Sequence, residues 1–479
     1  MTPTLRISIP LIAALLSACT VGPDYVRPDA PISASYKEDP NWKLAEPSDT
    51  APRGAWWEVY GDPVLNGLAA QVAPANQNVA VALAQYRQAQ AAVASAESAY
   101  SPTVAIDGSM QRSRTTGSSS KAASLGNSDK LSVLDASWVP DLWGQVARSV
   151  ESSDATAQSN AGTLASVRLA AEAQLVQTYF QLRVTDEFRT LQTNTVEGYE
   201  RSLQLTQNQR AAGIVSSADV AQAQTQLESA RASLIDLDVS RTQYEHAIAI
   251  LIGKAPANFS LARAPLVVKL PAIPAQLPSQ LLERRPDIAA AERKVAAANA
   301  QIGVAQAAYY PKLTLSATGG FVGSELANWI SLPNRVWAIG GALAETLIDG
   351  GARSARVDQA RAAYDASVAQ YRQTVLGGLQ EVEDNLAALR IYAQEYQVQQ
   401  RAVAAAREAE RITLNQYRAG MITYVNVVVA QAATNSNERA AYQLLGRQYT
   451  ASITLIKALG GGWGGLPQEL QQLGSAKGN

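Results

Sequence analysis

Cys19 is the only cysteine in 479 residues, and His246 is the only histidine. A thiol and an imidazole are the side chains best suited to nucleophilic and proton-transfer chemistry, so the inventory starts with them. Cys19 closes Leu15-Leu16-Ser17-Ala18-Cys19, where an apolar run gives way to small residues. A thiol there can be alkylated or acylated, but it has no second cysteine with which to form a disulfide. His246 stands inside the apolar helical pattern YEHAIAILIG, which points to a packed or surface position and not to a ligand. No metal-spaced cluster and no G-x-S-x-G elbow is present, and Gly253-Lys254 lacks the upstream glycine of a phosphate-binding loop. The residues imply no metal, no cofactor and no covalent catalysis, and they argue against an enzyme.

The surroundings of Cys19 narrow its chemistry. Arg6 precedes the apolar stretch Ile7 to Leu16, the pattern of a secretory leader over residues 1–18. That stretch is shorter than the about 20 apolar residues a spanning helix needs. Two readings of Cys19 compete. In one it is a chance residue of a discarded leader. In the other, Leu16-Ser17-Ala18-Cys19 resembles a bacterial lipobox, and cleavage before Cys19 leaves an N-terminus that takes acyl chains. The second reading accounts for the count, because no thiol then remains to pair in an oxidising compartment. More than one acyl chain makes such an anchor stable. Thr20, standing where an aspartate would signal retention, resembles the outer-membrane sorting pattern.

Charge is balanced, Lys+Arg 40 against Asp+Glu 41, so nothing points to nucleic acid. Length alone suggests roughly three domains, but the chain instead repeats itself at a spacing of roughly two hundred residues. SAYSPTVAIDGS from Ser98 returns as AAYYPKLTLSAT from Ala307, and QRAAGIVSSADVAQAQT from Gln209 returns as QYRAGMITYVNVVVAQAAT from Gln416. Each half reads helix, two strands, a very long helix, a turn and a helix. The halves cover 62–254 and 279–460, joined by a Pro-rich extended linker at 255–278; an extended N-terminal segment (19–61) precedes them and a tail (461–479) follows.

The long helices must carry the architecture. Between Gly351 and Ala419 there is no proline, and Val357, Tyr364, Val368, Tyr371, Val375, Leu379, Val382, Leu386 and Leu389 step by threes and fours. That is a coiled-coil seam. At about 1.5 Å per residue such a helix reaches on the order of 100 Å. The strands are short, in hairpins at about 102–139 and 311–347, with partner strands near Lys130–Val139 and Arg335–Leu347. Val104, Ile106, Gly108 and Met110 share one side of the first strand, and Leu313, Leu315, Ala317, Gly319 and Phe321 one side of the third. A tilted membrane strand needs about 9–11 residues, which these supply. Four strands cannot close a barrel, and open edges cannot face lipid, so several chains must pool them if they lie in a membrane.

These pieces resemble the outer-membrane efflux protein family, the TolC-like channels, in its lipoprotein branch of the NodT/OprM type. The resemblance covers almost the whole mature chain. It is carried by CTVGPDYVRP after the lipobox, WWEVYGDPVLNGL from Trp56, DLWGQVARSVE from Asp141 and LLERRPDIAAAERKVAAANAQIGVAQAAYYPKLTLSA from Leu281, followed by DGGARSARVDQA, EVEDNLAALR and YRAG. It implies an α+β membrane protein: a homotrimeric twelve-stranded outer-membrane β-barrel, four strands per chain, continued by a periplasmic α-helical barrel of long coiled-coil helices with an equatorial region. It further implies an exit duct for small molecules such as drugs or toxic compounds. The implied partners are a periplasmic adaptor (membrane fusion) protein and an inner-membrane pump of the resistance-nodulation-division type, with outer-membrane lipid around the barrel. A rival reading from the helices alone is a lipid-anchored periplasmic coiled-coil scaffold or adaptor.

The resemblance also bears on the turns after the long helices. Gly213 and Gly420 stand where each long helix stops, and Ser216 with Asp219, then Thr423 with Asn426, are spaced like capping boxes. These turns resemble the adaptor-docking tips of the family's helical hairpins. Tyr417 and Arg418 match family positions that tie closed tips together through hydrogen bonds, here to carboxylates such as Asp219. Where relatives carry an aspartate shortly after the second tip this chain has Val429, so an apolar constriction of Val425 and Val429 is expected in place of an acidic ring.

Overall fold

The structure is a computed structural model that describes residues 20–31, 37–38, 55–114, 125–266, 270–271, 284–323 and 330–461. The leader, Cys19 and residues 462–479 lie outside the described residues, as do 267–269 and 272–283. Helices α1 (Pro63–Ala75) and α2 (Gln77–Glu97) lead into strands β1 (Thr103–Arg114) and β2 (Leu125–Trp138), then helices α3 (Gln145–Ala211) and α4 (Ser217–Leu251). The second pass gives α5 (Pro286–Ala307), β3 (Lys312–Gly323), β4 (Arg335–Ala344), α6 (Ala352–Arg418) and α7 (Tyr424–Ala458). Both α3 and α6 have 67 residues, and both α4 and α7 have 35. The echo in the sequence is thus a duplication of whole elements.

Contacts divide the chain into two compact units, one built on Gln85–Asn160 and Ala290–Tyr371 with the described residues before Asp29, the other on the described parts of the remainder. The first unit holds one antiparallel sheet in the order β1-β2-β3-β4. Its central pairing, β2 with β3, joins the two passes. Residues directly opposite one another share a face. Val104, Ala136, Ala317 and Ile339 form one row across all four strands, with Trp138, Leu315 and Gly341 beside it. Thr103, Ser137, Ser316 and Gly340 form a row on the other face, next to Ala105, Asp135, Thr318 and Ala338. One face is therefore apolar and the other small or polar, and the apolar sides of the first and third strands turn out to be the same face. That face is bare in the single chain: Ile339 is 78% and Ile106 76% exposed.

Strand β4 stops at Ala344, short of the expected Leu347, because Ala344 already faces Lys312, the first residue of β3. Strand β2 starts earlier than Lys130, at Leu125, because β1 runs on to Arg114 and pairs with it. At the other end β2 stops at Trp138, just short of Pro140, which cannot donate to a ladder. Aromatic rings gather where strands meet helices. Trp138 Nε1 donates to the Tyr100 carbonyl (3.0 Å), and Trp143 stacks on Tyr310 (4.9 Å between centroids).

In the second unit the turn Trp56–Tyr60 buries both tryptophans and Tyr60 against Leu65, Val72, Leu175, Phe180 and Ile453. Phe180 stacks on Tyr449 at 4.4 Å and 10°. Asp62 caps α1 through the Val64 and Leu65 amides and accepts the Tyr179 hydroxyl at 2.5 Å. Arg285 of the RRPD motif is 7% exposed and donates to Asp287, to Glu381 on α6 and to the Ala458 carbonyl that ends α7. Residues 255–266 begin with a short 3-10 turn and continue without helix or strand. Arg241 and Glu245 read both backbone groups of Leu261, while Arg183 donates to the Ala262 carbonyl at 2.8 Å. On α6 the expected seam points inward, with Val357, Tyr371, Val375 and Val382 buried.

Helix ends show the duplication at atomic scale. Gly253 and Gly460, at φ +69° and +92°, each end the shorter helix of a hairpin, where the next amide reaches back to the Ala249 or Ile456 carbonyl. A Cβ on Gly253 would overlap the Ala75 carbonyl, and one on Gly460 the Arg284 carbonyl. Around Gly213 (φ +79°) there is open space. Gly253→Ala and Gly460→Ala should each destabilise by about 1–3 kcal/mol, from left-handed strain plus overlap, and Gly213→Ala by only about 1 kcal/mol. Thermal melts of the purified variants check the ranking.

Candidate functional site

The two turns between long and short helices carry most of the candidate residues, and all of these lie within the second unit. Their shape is set by glycine. At the first turn the Gly213 amide donates to Arg210 (2.8 Å) and the Ile214 amide to Gln209 (2.9 Å). At the second, Gly420 donates to Tyr417 (2.9 Å) and Met421 to Gln416 (3.0 Å). Both are Schellman closures with the glycine left-handed, at φ +79° and +74°.

The helix starts beyond these closures differ. Ser216 and Asp219 form a full capping box: Ser216 Oγ accepts the Asp219 amide (3.3 Å), and Asp219 Oδ2 accepts the Ser216 amide (3.0 Å). Thr423 does not repeat it. Its side chain caps no backbone amide; instead Asn426 Nδ2 donates to Thr423 Oγ1 at 3.1 Å. An amide nitrogen offers protons where a carboxylate offers lone pairs, so the box-like spacing at Thr423 closes as a side-chain pair.

Tyr417 and Arg418 part company. Tyr417 is 2% exposed, its ring 5.4 Å from that of Tyr424 and its hydroxyl 3.2 Å from Thr206 Oγ1. Thr206 spends its own proton on the Ser202 carbonyl (2.9 Å), so Tyr417 donates and Thr206 accepts. This bond ties α6 to α3, one hairpin to the other. The expected bond from Tyr417 to Asp219 is not made within the chain: the Tyr417 hydroxyl is spent on Thr206, while Ser216 donates both its amide and its hydroxyl to Asp219 Oδ2. Arg418 is exposed and has no hydrogen-bond or ion-pair partner among the described residues; its charge complements the C-terminus of α6. Burial raises the hydroxyl pKa of Tyr417 and pushes that of Tyr424 up to about 12, so both stay protonated at neutral pH.

Val425 and Val429 point away from this core, at 58% and 64% exposure, while Val427 between them is fully buried. They sit one helical turn apart on the same bare stripe of α7. The buried set at this end comprises Tyr199, Leu203, Leu227, Tyr417, Tyr424 and Val427 with their neighbours. Sequence reasoning missed Thr206 and Tyr424 as partners of Tyr417, and Ser202 behind Thr206. The available signal was the equal length of α3 and α6, which brings their last turns level.

No described helix is long and apolar enough to cross a membrane, and no group of residues among those described could hold a metal ion. The sheet's bare apolar face and the paired helical tips are therefore the features to compare with known proteins.

A profile of the outer membrane efflux protein family matches residues 68–254 and again 277–461. The chain is 29% identical over 468 residues to the probable efflux pump outer membrane protein TtgC of Pseudomonas putida, covering 95% of both chains. It is 27% identical to nodulation protein T of Rhizobium leguminosarum bv. trifolii, covering 96% of this chain and 97% of that one. Among solved structures it is similar to the outer-membrane channel OprN, with a TM-score of 0.84 at 31% identity over 93% of this chain and all of that one. It is also similar to the outer membrane protein VceC of Vibrio cholerae, with a TM-score of 0.79 at 26% identity over 87% of this chain and all of that one. The fold is that of the trimeric TolC-like outer-membrane channels. With both repeats matched, the chain belongs to the outer membrane efflux protein family and is an outer-membrane efflux channel.

Proposed function

We propose that this channel is the exit duct of a tripartite system, passively conducting drugs or other toxic small molecules outward. It receives them from a periplasmic adaptor and an inner-membrane pump of the resistance-nodulation-division type. The adaptor meets the tips at Gly213, Ser216, Gly420 and Thr423. Acylated Cys19 anchors the chain in the outer membrane beside the barrel. The observation that carries the reading is the sheet, with an apolar face on which Val104, Ile106, Trp337 and Ile339 are exposed and with β1 and β4 left as edges. Lipid accepts such a face and forbids such edges, so three chains close their four strands each into one barrel.

This assigns the face with Val104, Leu315 and Ile339 to lipid and the face with Thr103, Ser316 and Gly340 to the lumen. Arginine at Leu315 or Ile339 should cost about 2–4 kcal/mol near the bilayer midplane, and arginine at Ala338 on the lumen side should be tolerated. Heat-modifiable trimer in outer-membrane fractions measures both; equal loss for Ile339→Arg and Ala338→Arg would overturn the assignment of faces.

At the tips, Val425 and Val429 narrow the closed end by an apolar ring that excludes water. The Tyr417–Thr206 bond holds the two hairpins of each chain together and is worth about 1 kcal/mol. Conductance in planar bilayers should be small for the wild type and should rise in Tyr417→Phe combined with Arg418→Ser. It should rise further when Val429→Ser is added. Three changes that leave conductance at its resting value would place the constriction elsewhere.

A further inference from the structure

The motif TVGPDYVRP, Thr20 to Pro28, marks kinship in the sequence, and in the structure it lies in a seat cut for it. The Val21 amide donates to the Trp143 carbonyl at 3.1 Å. Arg148, with a side chain only 7% exposed, donates Nε to the Val21 carbonyl (3.2 Å) and Nη2 to the Gly22 carbonyl (3.2 Å) and Asp24 (2.9 Å). Asn299 Nδ2 donates to the Pro23 carbonyl at 2.9 Å. The Tyr25 hydroxyl donates to Glu292 Oε1, and Arg27 Nε to the Tyr371 hydroxyl at 3.4 Å. Of the guanidinium's contacts, only the one to Glu151 is directed away from this segment.

Backbone passes over backbone where the segment crosses α5. Gly22 is left-handed at φ +108°, and a Cβ on it would overlap Gly303 Cα. A Cβ on Gly303 would stand 2.8 Å from Arg148 Cγ and 2.9 Å from the Val21 carbonyl oxygen. Gly303 lies inside a helix, where glycine is about 1 kcal/mol worse than alanine. The internal repeat supplies the control. Aligning Tyr100 with Tyr309 puts Ala94 opposite Gly303, and Ala94 on α2 is exposed. Arg353 stands in the second Ala-Arg-Ser as Arg148 does in the first, yet it pairs with Asp349 at the start of its own helix. Both departures from symmetry, Gly303 and the reach of Arg148, fall where the segment lies.

We propose that Thr20–Arg27 is a staple joining the two repeats, with Arg148 as its positioning residue, and that it sets where Cys19 leaves the protein. Arg148 belongs to α3 of the first repeat, while Asn299, Glu292 and Tyr371 belong to α5 and α6 of the second. Trp143, which receives the Val21 amide, donates its Nε1 to the carbonyl of Pro311, immediately before β3. Val21, two residues after Cys19 in the sequence, is therefore tied through Trp143 to the residue just before β3. The staple, and not only the lipid, holds this end in place. Its contacts do not depend on what Cys19 carries.

The test is chymotryptic cleavage after Tyr25 in the full-length trimer in mild detergent, read by mass as a new N-terminus at Val26. Wild type should resist. Gly303→Ala should speed this cut at least about tenfold although the change favours the helix, and Arg148→Ala should do the same, because proteolysis follows the population of the open segment. Ala94→Gly is the control and should leave the rate unchanged. Native-gel mobility confirms that each variant is still trimeric. A rate within about twofold of wild type in either Gly303→Ala or Arg148→Ala overturns the proposal. The readout needs neither conduction nor acylation, so it fails independently of the transport reading.

Discussion

Unpaired backbone at the two edges of the sheet is the constraint on which the rest of this molecule depends. Strands β1 and β4 each present a row of amide and carbonyl groups that no described residue of the chain satisfies. In water such edges invite aggregation, and in hydrocarbon each unpaired group costs several kcal/mol. The apolar row through Val104, Ala317 and Ile339 commits the sheet to hydrocarbon on one side, so closing the edges with other copies is the solution left. A trimer is thus a property of the backbone before it is a property of any side chain. The small and polar row on the opposite face, with Ser137, Ser316 and Thr318, then has water to face.

Duplication explains how one chain supplies both sheet hairpins and both helical hairpins with few joints. The motifs that identify the family are mostly those joints. Asp62 caps a helix and holds Tyr179, Arg285 ties the start of α5 to α6 and the end of α7, and Glu381 of the EVEDN stretch receives Arg285. Gly253 and Gly460 let each short helix end against a carbonyl of the equivalent neighbour. Residues of this kind tolerate little because each satisfies buried backbone or charge, and losing one partner leaves the other unpaired.

Much of this was legible in the sequence, for identifiable reasons. Long proline-free runs with a three-four step report a helix whatever surrounds it, and Tyr371, Val375 and Val382 are buried as that step requires. Period-two alternation predicted the sides of β1 and β3, but only the register across β2 shows that Val104 and Leu315 share a face. Hydrogen-bond partners at the tips were not legible. Tyr417 turns to Thr206, some two hundred residues away in sequence, and no local pattern encodes that pairing. Thr423 misled because spacing alone does not distinguish an asparagine that donates from an aspartate that accepts. Arg183, Asp186, Arg241 and Glu245, which seat residues 261–264, are scattered over two helices and were invisible for the same reason.

The two ends of the second unit are not built alike, and the difference bears on which end can give way. The cluster around Phe180 and Tyr449 stacks large rings, and the Tyr60 hydroxyl meets Ser452 Oγ at 2.9 Å. The cluster around Tyr417 and Tyr424 is smaller and less satisfied. Among the described residues, buried polar atoms without a partner include Gln209 Oε1, Tyr424 Oη, Gln431 Oε1 and Asn435 Oδ1 on the helices that meet at the tips, against Trp56 Nε1 and Asn66 Oδ1 at the other end. Each such atom forgoes about 1–3 kcal/mol that a partner would return. A helical end that leaves polar atoms waiting loses less when its hairpins separate and water or a protein reaches them. Unpaired polar atoms are thus more numerous at the end where the proposed gate would open than at the end packed around Phe180 and Tyr449.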